Sequence, residues 1–443
     1  MAQLKTLPGF RVFYPDDFSK LQFIIRKWRQ SAVVYGFQEY DAPVLEPLDL
    51  YKAKSGSEIE GQLFNFTDKG GREVTLRPEM TPSVTRMVGE RANSLKKPIK
   101  WVNIGENFRY ERQQKGRLRS FYQLNADIYG EAGAEAEVEL IAFLVESLCC
   151  FGLSEEDFYI RLSDRDLWVY YLTSKDISLE AAQDILSVVD KMERDSEEES
   201  LKKLQKILGE GSVETLYSEL KKMTQIRSLE ELEAFFADRS GNGGGSTALK
   251  ERLADWQKLL GGLDAMGLSS FVQVDLGVVR GLAYYTGFVF EAFDRKGKFR
   301  ALAGGGRYNH LVKKLGGPDL PAVGFGMGDV VLHELLVDRG LMPEMVSSPD
   351  IYVIVGGEEE RKSALKDIFN LRQAGYRIEY SLKEMAFAKQ FKQAAQSGAK
   401  ITLIYGAEEL EKGVVKMRDM AGREEVELPL SRLFESIRDF FSG

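Results

Sequence analysis

Between residues 62 and 129 the chain offers four short β-type runs, QLFNFT, EVTLRP, KWVNIGENFRYE and SFYQLNADIYG, with one helical insert at roughly 81–95. Most of the connections are too short to hold a crossover helix. The strands therefore pair mainly antiparallel, and the sequence predicts an α+β fold. Ahead of the sheet, residues 16–35 open with acidic side chains and continue with apolar positions at helical spacing. Gly36 stops that helix, and FQEYDAPVLE reads as extended chain broken by Pro43. Residues 135–151 and 164–174 read as helices.

At 443 residues the chain exceeds one ordinary hydrophobic core, which predicts two or three domains. Between about 175 and 262 the composition turns charged, amphipathic and helical, with the glycine-rich loop GNGGGS at 241–246. This reads as a helical insertion that splits a core into 1–174 and 263–345. Strand signals return at SFVQVDLG and run through GFVFEAF to FRALAGGGRY. After the linker-like VSSP at 346–349, strands and helices alternate: DIYVIVGG, a helix at 359–374, YRIEYS, a helix at 384–397, then KITLIYG. Residues 350–443 thus form a separate α/β domain.

Lys plus Arg number 60 against 68 for Asp plus Glu, a net charge of -8, which excludes a general basic coat for nucleic acid but not a local basic groove. The two cysteines, Cys149 and Cys150, are neighbours and form no disulfide framework, so a reducing compartment is expected. His310 and His333 are the only histidines, too few for a zinc site or a serine-type triad. The opening MAQLKTLPGFRVFYP lacks the apolar core of a signal peptide. No apolar run approaches the ~20 residues of a spanning helix. A cytoplasmic protein without a membrane partner is expected.

Five stretches carry chemistry. In TLRPEMTP, 75–82, Glu79 and Thr81 bracket a helix start. The plain reading is a capped helix with an acidic first turn; the functional one is a carboxylate and a hydroxyl meeting a cationic group such as an α-amine. In ENFRYERQQKGRLRSFYQLNADIYG, 106–130, Arg109 and Glu111 share one strand face, and Phe121, Gln123, Asn125 and Asp127 alternate on the return strand. Such a polar row is costly to bury unless it binds something. Arginine suits phosphate, an aromatic ring stacks on a base, and Asp or Gln read donors. The remaining stretches are DLGVVRGLAYYTGFVFEAF with Arg280, Tyr284 and Tyr285, ALAGGGRYNHL, and PAVGFGMGDVVLHELL. Their glycines permit close backbone approach to a ligand.

In this order across 75–336, the five resemble the class II aminoacyl-tRNA synthetase core, and specifically the histidyl-tRNA synthetase family. FRYERQQKGRLRSFYQ looks like the second motif of that class, RGLAYYTGFVFE like the histidine-specific signature, and YGFQEYDAPVLE like the dimer-forming first motif with Pro43 as its proline. Residues from 350 resemble the anticodon-binding domain. The resemblance implies a class II antiparallel sheet flanked by helices, ATP as substrate with Mg²⁺, L-histidine and its tRNA as partners, and a homodimer. It places Glu79, Met80 and Thr81 at the histidine α-amino end with Gln123, and Asp127, Tyr284 and Tyr285 against the imidazole. Arg109 and Arg280 would flank the α-phosphate and substrate carboxylate as the catalytic pair, with Glu111 and Phe121 at the nucleotide. Arg112, Gln113, Gln114, Lys115 and Arg117 are candidates for the tRNA acceptor end.

Three positions depart from the family pattern. Ala283 stands where Asp is usual, Asp127 where many members carry Glu, and Val331 where the third motif places an arginine. The last favours an alternative, a catalytically silent synthetase-like regulatory subunit of histidine biosynthesis. Against it stand the C-terminal domain and the retained Arg109, Gln123 and Arg280.

Overall fold

The computed structural model describes residues 5–55, 57–111, 116–209, 213–237, 247–280, 284–344, 348–422 and 424–442, including side chains except at 54, 55 and 57–59. Arg112, Gln113, Gln114, Lys115, Ala283 and the GNGGGS loop lie outside the described residues, as do 345–347 of the linker stretch. The chain divides into two compact units, Met1–Pro343 and Glu344–Gly443.

Among the described residues of the first unit eight strands form one sheet, in the order Gln38–Glu39, Ile99–Phe108, Ser120–Tyr129, Ala322–Gly328, Ala303–Arg307, Thr286–Asp294, Phe158–Asp164, Val272–Val274. The inner pairs are antiparallel and the two outermost are parallel. The reason lies in the alternation along Ser120–Tyr129. Leu124, Ala126 and Ile128 face the main core with Trp28 of the Pro15–Val34 helix and Ile141 of the Glu135–Cys149 helix. Phe121, Gln123, Asn125 and Asp127 take the opposite face by the two-residue period. Gly324, Gly326 and Gly328 pair with Asp127, Asn125 and Gln123, and Gly304 pairs with Gly326 on one side and Glu291 on the other. A floor of glycine runs beside the polar row.

The helical stretch does not fold apart from the core. Ile185, Leu204, Leu220 and Trp256 belong to the same buried cluster as Leu162 and Phe288. Its expected end at 262 falls inside a helix, Thr247–Ala265. Gly262 is a close-packing position there, because a Cβ would come within 2.7 Å of Val138 Cγ2.

The second unit has its own core around Ile351, Val353, Leu403 and Leu433. Ile351–Val355 pairs parallel with Ile378–Tyr380 and with Ile401–Tyr405, and the helices Glu358–Gln373 and Phe387–Ser397 supply the crossovers. Two antiparallel strands, Val414–Asp419 and Glu425–Pro429, extend the sheet beyond what the sequence reading anticipated. The helix expected from 384 begins at Phe387. Gln390 donates to the carbonyls of Met385 (2.7 Å) and Val355 (2.8 Å), which ties the preceding residues to the sheet instead of the helix.

Candidate active site

Two neighbouring groups of side chains occupy the polar face. The first lines a cavity of about 300 Å³ that brings together Arg109, Glu111, Arg117, Phe121, Gln123 and Arg280. Arg109 and Glu111 reach it from just past the strand end, not from the strand. The Arg109 N–H still pairs with Arg119 O at 2.9 Å, and the Glu111 N–H turns back onto Arg109 O at 2.9 Å. Arg109 Nε donates to Pro78 O at 3.1 Å and its guanidinium lies 5.2 Å from the Phe121 ring. That contact sets a cation over the ring. Glu111 pairs with Arg117.

Arg280 enters from the loop before the Thr286–Asp294 strand. Its Nη1 donates to Glu291 Oε1 at 2.6 Å, and a Cβ at residue 304 would overlap the same nitrogen. Only glycine leaves this space. Its guanidinium lies 5.7 Å from the Tyr285 ring, and its buried Nε has no hydrogen-bond partner among the described residues. Burial pushes the Glu291 carboxyl above the usual range although Arg280 pulls it down.

The second group surrounds Asp127, which is buried and does not line that cavity. The Tyr308 hydroxyl donates to Asp127 Oδ1, and a Cβ at residue 324 would overlap that oxygen. The rings of Tyr284 and Tyr285 lie 4.5 Å apart, and both stand edge-on to Tyr308 at 5.9 and 6.5 Å. Burial, with Asp127 beside it, pushes the Tyr308 phenol well above its ordinary value, so it remains a donor at neutral pH. Burial raises the phenols of Tyr284 and Tyr285, and the nearby Glu79 carboxylate adds to the rise while Arg280 opposes it. Met80, not Thr81, is the cap of the Thr81–Arg91 helix, without a side-chain cap bond, and is fully buried. Glu79 and Thr81 are left as the polar groups at that helix start.

Sequence reasoning gave no role to Tyr308, Glu291 or Arg300. Tyr308 follows the glycine run, and its chemistry became visible only once the register put Gly324 beside Asp127. Arg300 lines the cavity near Val331, with Gly116 between them: a Cβ there would lie 3.2 Å from Val331 Cγ2 and 3.9 Å from Arg300 Cδ. Val331 itself both borders the cavity and packs on the main core.

The family model described as Histidyl-tRNA synthetase matches residues 9–329. The chain belongs to the histidyl-tRNA synthetase family. A second model, Anticodon binding domain, matches 350–440. Among curated relatives in this synthetase family, Histidine--tRNA ligase of Opitutus terrae is 57% identical and covers 100% of both chains. The chloroplastic/mitochondrial Histidine--tRNA ligase of Arabidopsis thaliana is 36% identical over 96% of this chain and 85% of its own length. The crystal structure of histidyl-tRNA synthetase from Nostoc sp. PCC 7120 superposes with a TM-score of 0.80 at 22% identity, covering 99% of this chain and 100% of that one. At that identity it speaks for the fold, an α+β sheet flanked by helices with a second α/β unit.

Proposed function

We propose that this chain is an ATP-dependent histidine–tRNA ligase, forming histidyl-adenylate and then passing the histidyl group to its tRNA. The observation that carries the reading is the convergence of Arg109, Phe121, Gln123 and Arg280 on one cavity, in a chain that matches a histidine–tRNA ligase over its full length. Four arginines, Arg109, Arg117, Arg280 and Arg300, line that cavity against two glutamates, Glu111 and Glu291. An excess of cation there suits a nucleotide's phosphates. Arg280 Nε is a buried donor available to such a ligand.

In the first step a carboxylate oxygen of histidine attacks the α-phosphorus in line and pyrophosphate leaves. No protein nucleophile is needed. Arg109 and Arg280 hold the reacting carboxylate and phosphate together and offset the negative charge of the transition state. Phe121 stacks on adenine, Glu111 contacts the nucleotide, and Gln123 lies towards the amino acid. Asp127, oriented by Tyr308 and flanked by Tyr284 and Tyr285, takes the imidazole. An imidazole N–H bonded to a buried carboxylate gives strong discrimination, because another side chain would forfeit that charge-assisted bond. Glu79 and Thr81 receive the α-amino group. Glu111 and Glu291, the carboxylates of the cavity, are each engaged by an arginine. Mg²⁺ therefore belongs to the nucleotide substrate, and no step here is assigned to it.

Arg112, Gln113, Gln114, Lys115 and Arg117 meet the tRNA acceptor end, and the Glu344–Gly443 unit its anticodon. The enzyme is a cytoplasmic homodimer in this reading. Exposed Val33 and Val34 precede the first motif, exposed Val44 and Leu45 lie within it, and together they offer an apolar dimer face. Among the described residues no helix is long and apolar enough to cross a membrane. Charging of a tRNA pool with labelled histidine tests the proposal, and absence of histidyl-tRNA at any enzyme concentration would reject it.

A further inference from the structure

We infer that Arg165 is a positioning residue for Arg280, acting through the backbone of the Asp275–Arg280 loop. The inference rests on the role given to Arg280 above. Arg280 has φ +51°, a left-handed backbone that residues with a Cβ avoid; among the described residues Asp176 is the one other non-glycine with positive φ. Such a conformation persists only where its surroundings over-determine it.

The surroundings come from one short stretch, residues 161–168. Arg165 Nη1 donates to the carbonyls of Val279 at 3.0 Å and of Arg280 itself at 2.8 Å. Trp168 Nε1 donates to Leu276 O at 2.9 Å, and Arg161 Nε to Asp275 Oδ2 at 2.7 Å. Asp275 Oδ1 in turn accepts the Gly277 N–H at 3.0 Å. The loop is therefore held at Asp275, Leu276, Val279 and Arg280. Arg165 is buried, and Asp166 and Asp190 are the carboxylates whose charge it feels. Bonds from a buried guanidinium to two carbonyls are charge-assisted and shielded from water. They fix the backbone, while Glu291 and the open space over Gly304 fix the guanidinium. With both ends held, Arg280 meets substrate without first paying for its own ordering.

A double-variant cycle on the full chain tests this. Histidine-dependent ATP–pyrophosphate exchange is measured for wild type, Arg165→Met, Arg280→Ala and the pair, with melting curves for each. The expected result is a fall in kcat of about tenfold or more for Arg165→Met. Adding Arg165→Met to Arg280→Ala should then cost less than about twofold more. Equal losses in both backgrounds, or no loss in the first, would overturn the positioning role while leaving the active site intact. Should Arg165→Met not fold, Trp168→Phe keeps a buried ring but drops the Leu276 bond, and the same cycle is read with it: a smaller loss that vanishes beside Arg280→Ala supports the inference, and an additive one overturns it. An unimpaired Arg280→Ala, or an inactive wild type, would instead remove the reading of Arg280 and this inference with it.

Discussion

The Tyr308 hydroxyl donates to Asp127 Oδ1 from a strand end two positions removed across the sheet, through space that exists because residue 324 has no side chain. The pair sits in a nest of phenols, and the proposal gives it the choice of amino acid. Asp127→Ala should lower kcat/KM for histidine by about a hundredfold or more, the scale of losing a buried charge-assisted partner. KM for ATP should stay within a few-fold. Tyr308→Phe should cost less, about tenfold. Steady-state exchange kinetics with each substrate varied decide it; a histidine KM and kcat near wild type for Asp127→Ala would remove that assignment.

Gly304→Ala asks whether Arg280 works where it stands. A Cβ at 304 overlaps Arg280 Nη1, so the guanidinium must leave Glu291. Exchange activity should fall nearly as far as in Arg280→Ala, while overpacking costs the fold about 1–3 kcal/mol. Circular dichroism melts and exchange rates together report both. Near-normal activity in a folded Gly304→Ala protein would show that this position of Arg280 is not required.

The polar row from Phe121 to Asp127 was legible because a strand's two-residue period survives any tertiary context, and the glycine runs flagged close approach. What the period could not supply was register across strands distant in sequence. The pairing of Gly304 with Glu291, and of Gly324 with Asp127, depends on strands more than ten and nearly two hundred residues apart. Arg109 and Glu111 were expected on the strand, but it ends at Phe108 and a tight turn carries both into the cavity. The insertion was read as helical from its amphipathic pattern, yet its shared core with the sheet has no local signature.

Removal of the second unit separates chemistry from recognition. Each unit has its own buried cluster, so a chain ending at Pro343 should fold. Its histidine-dependent exchange should remain within roughly threefold of the full chain, while tRNA charging falls by about a hundredfold or more, as expected when most of the tRNA contact is lost. Full charging efficiency in the truncated protein would contradict the anticodon role.

Glu193 gives the fold a specific pH signature. Its hydrogen bond from Arg161 holds the carboxyl below the usual carboxylate range. A depressed folded pKa means the bond stabilises fully above the unfolded value, about 4.3, and is lost as pH falls through the lower folded value. Glu193 is 57% exposed, so the contribution at pH 7 is about 0.5 kcal/mol after screening. Melting temperatures of wild type and Glu193→Gln should differ at neutral pH, and the gap should close as acid takes the solution below the lowered folded pKa; a gap as wide in acid as at neutrality would mean the charge is not its source.

In the proposed function Arg109, Arg280 and the Asp127 pocket together activate histidine, despite valine at position 331. Pyrophosphate exchange into ATP, measured for the purified chain with each of the common amino acids in turn, is the decisive measurement. Exchange is expected with histidine, and none above background with the others. A protein for which none of the amino acids, histidine included, supports exchange at any Mg²⁺ concentration would rule the proposed function out.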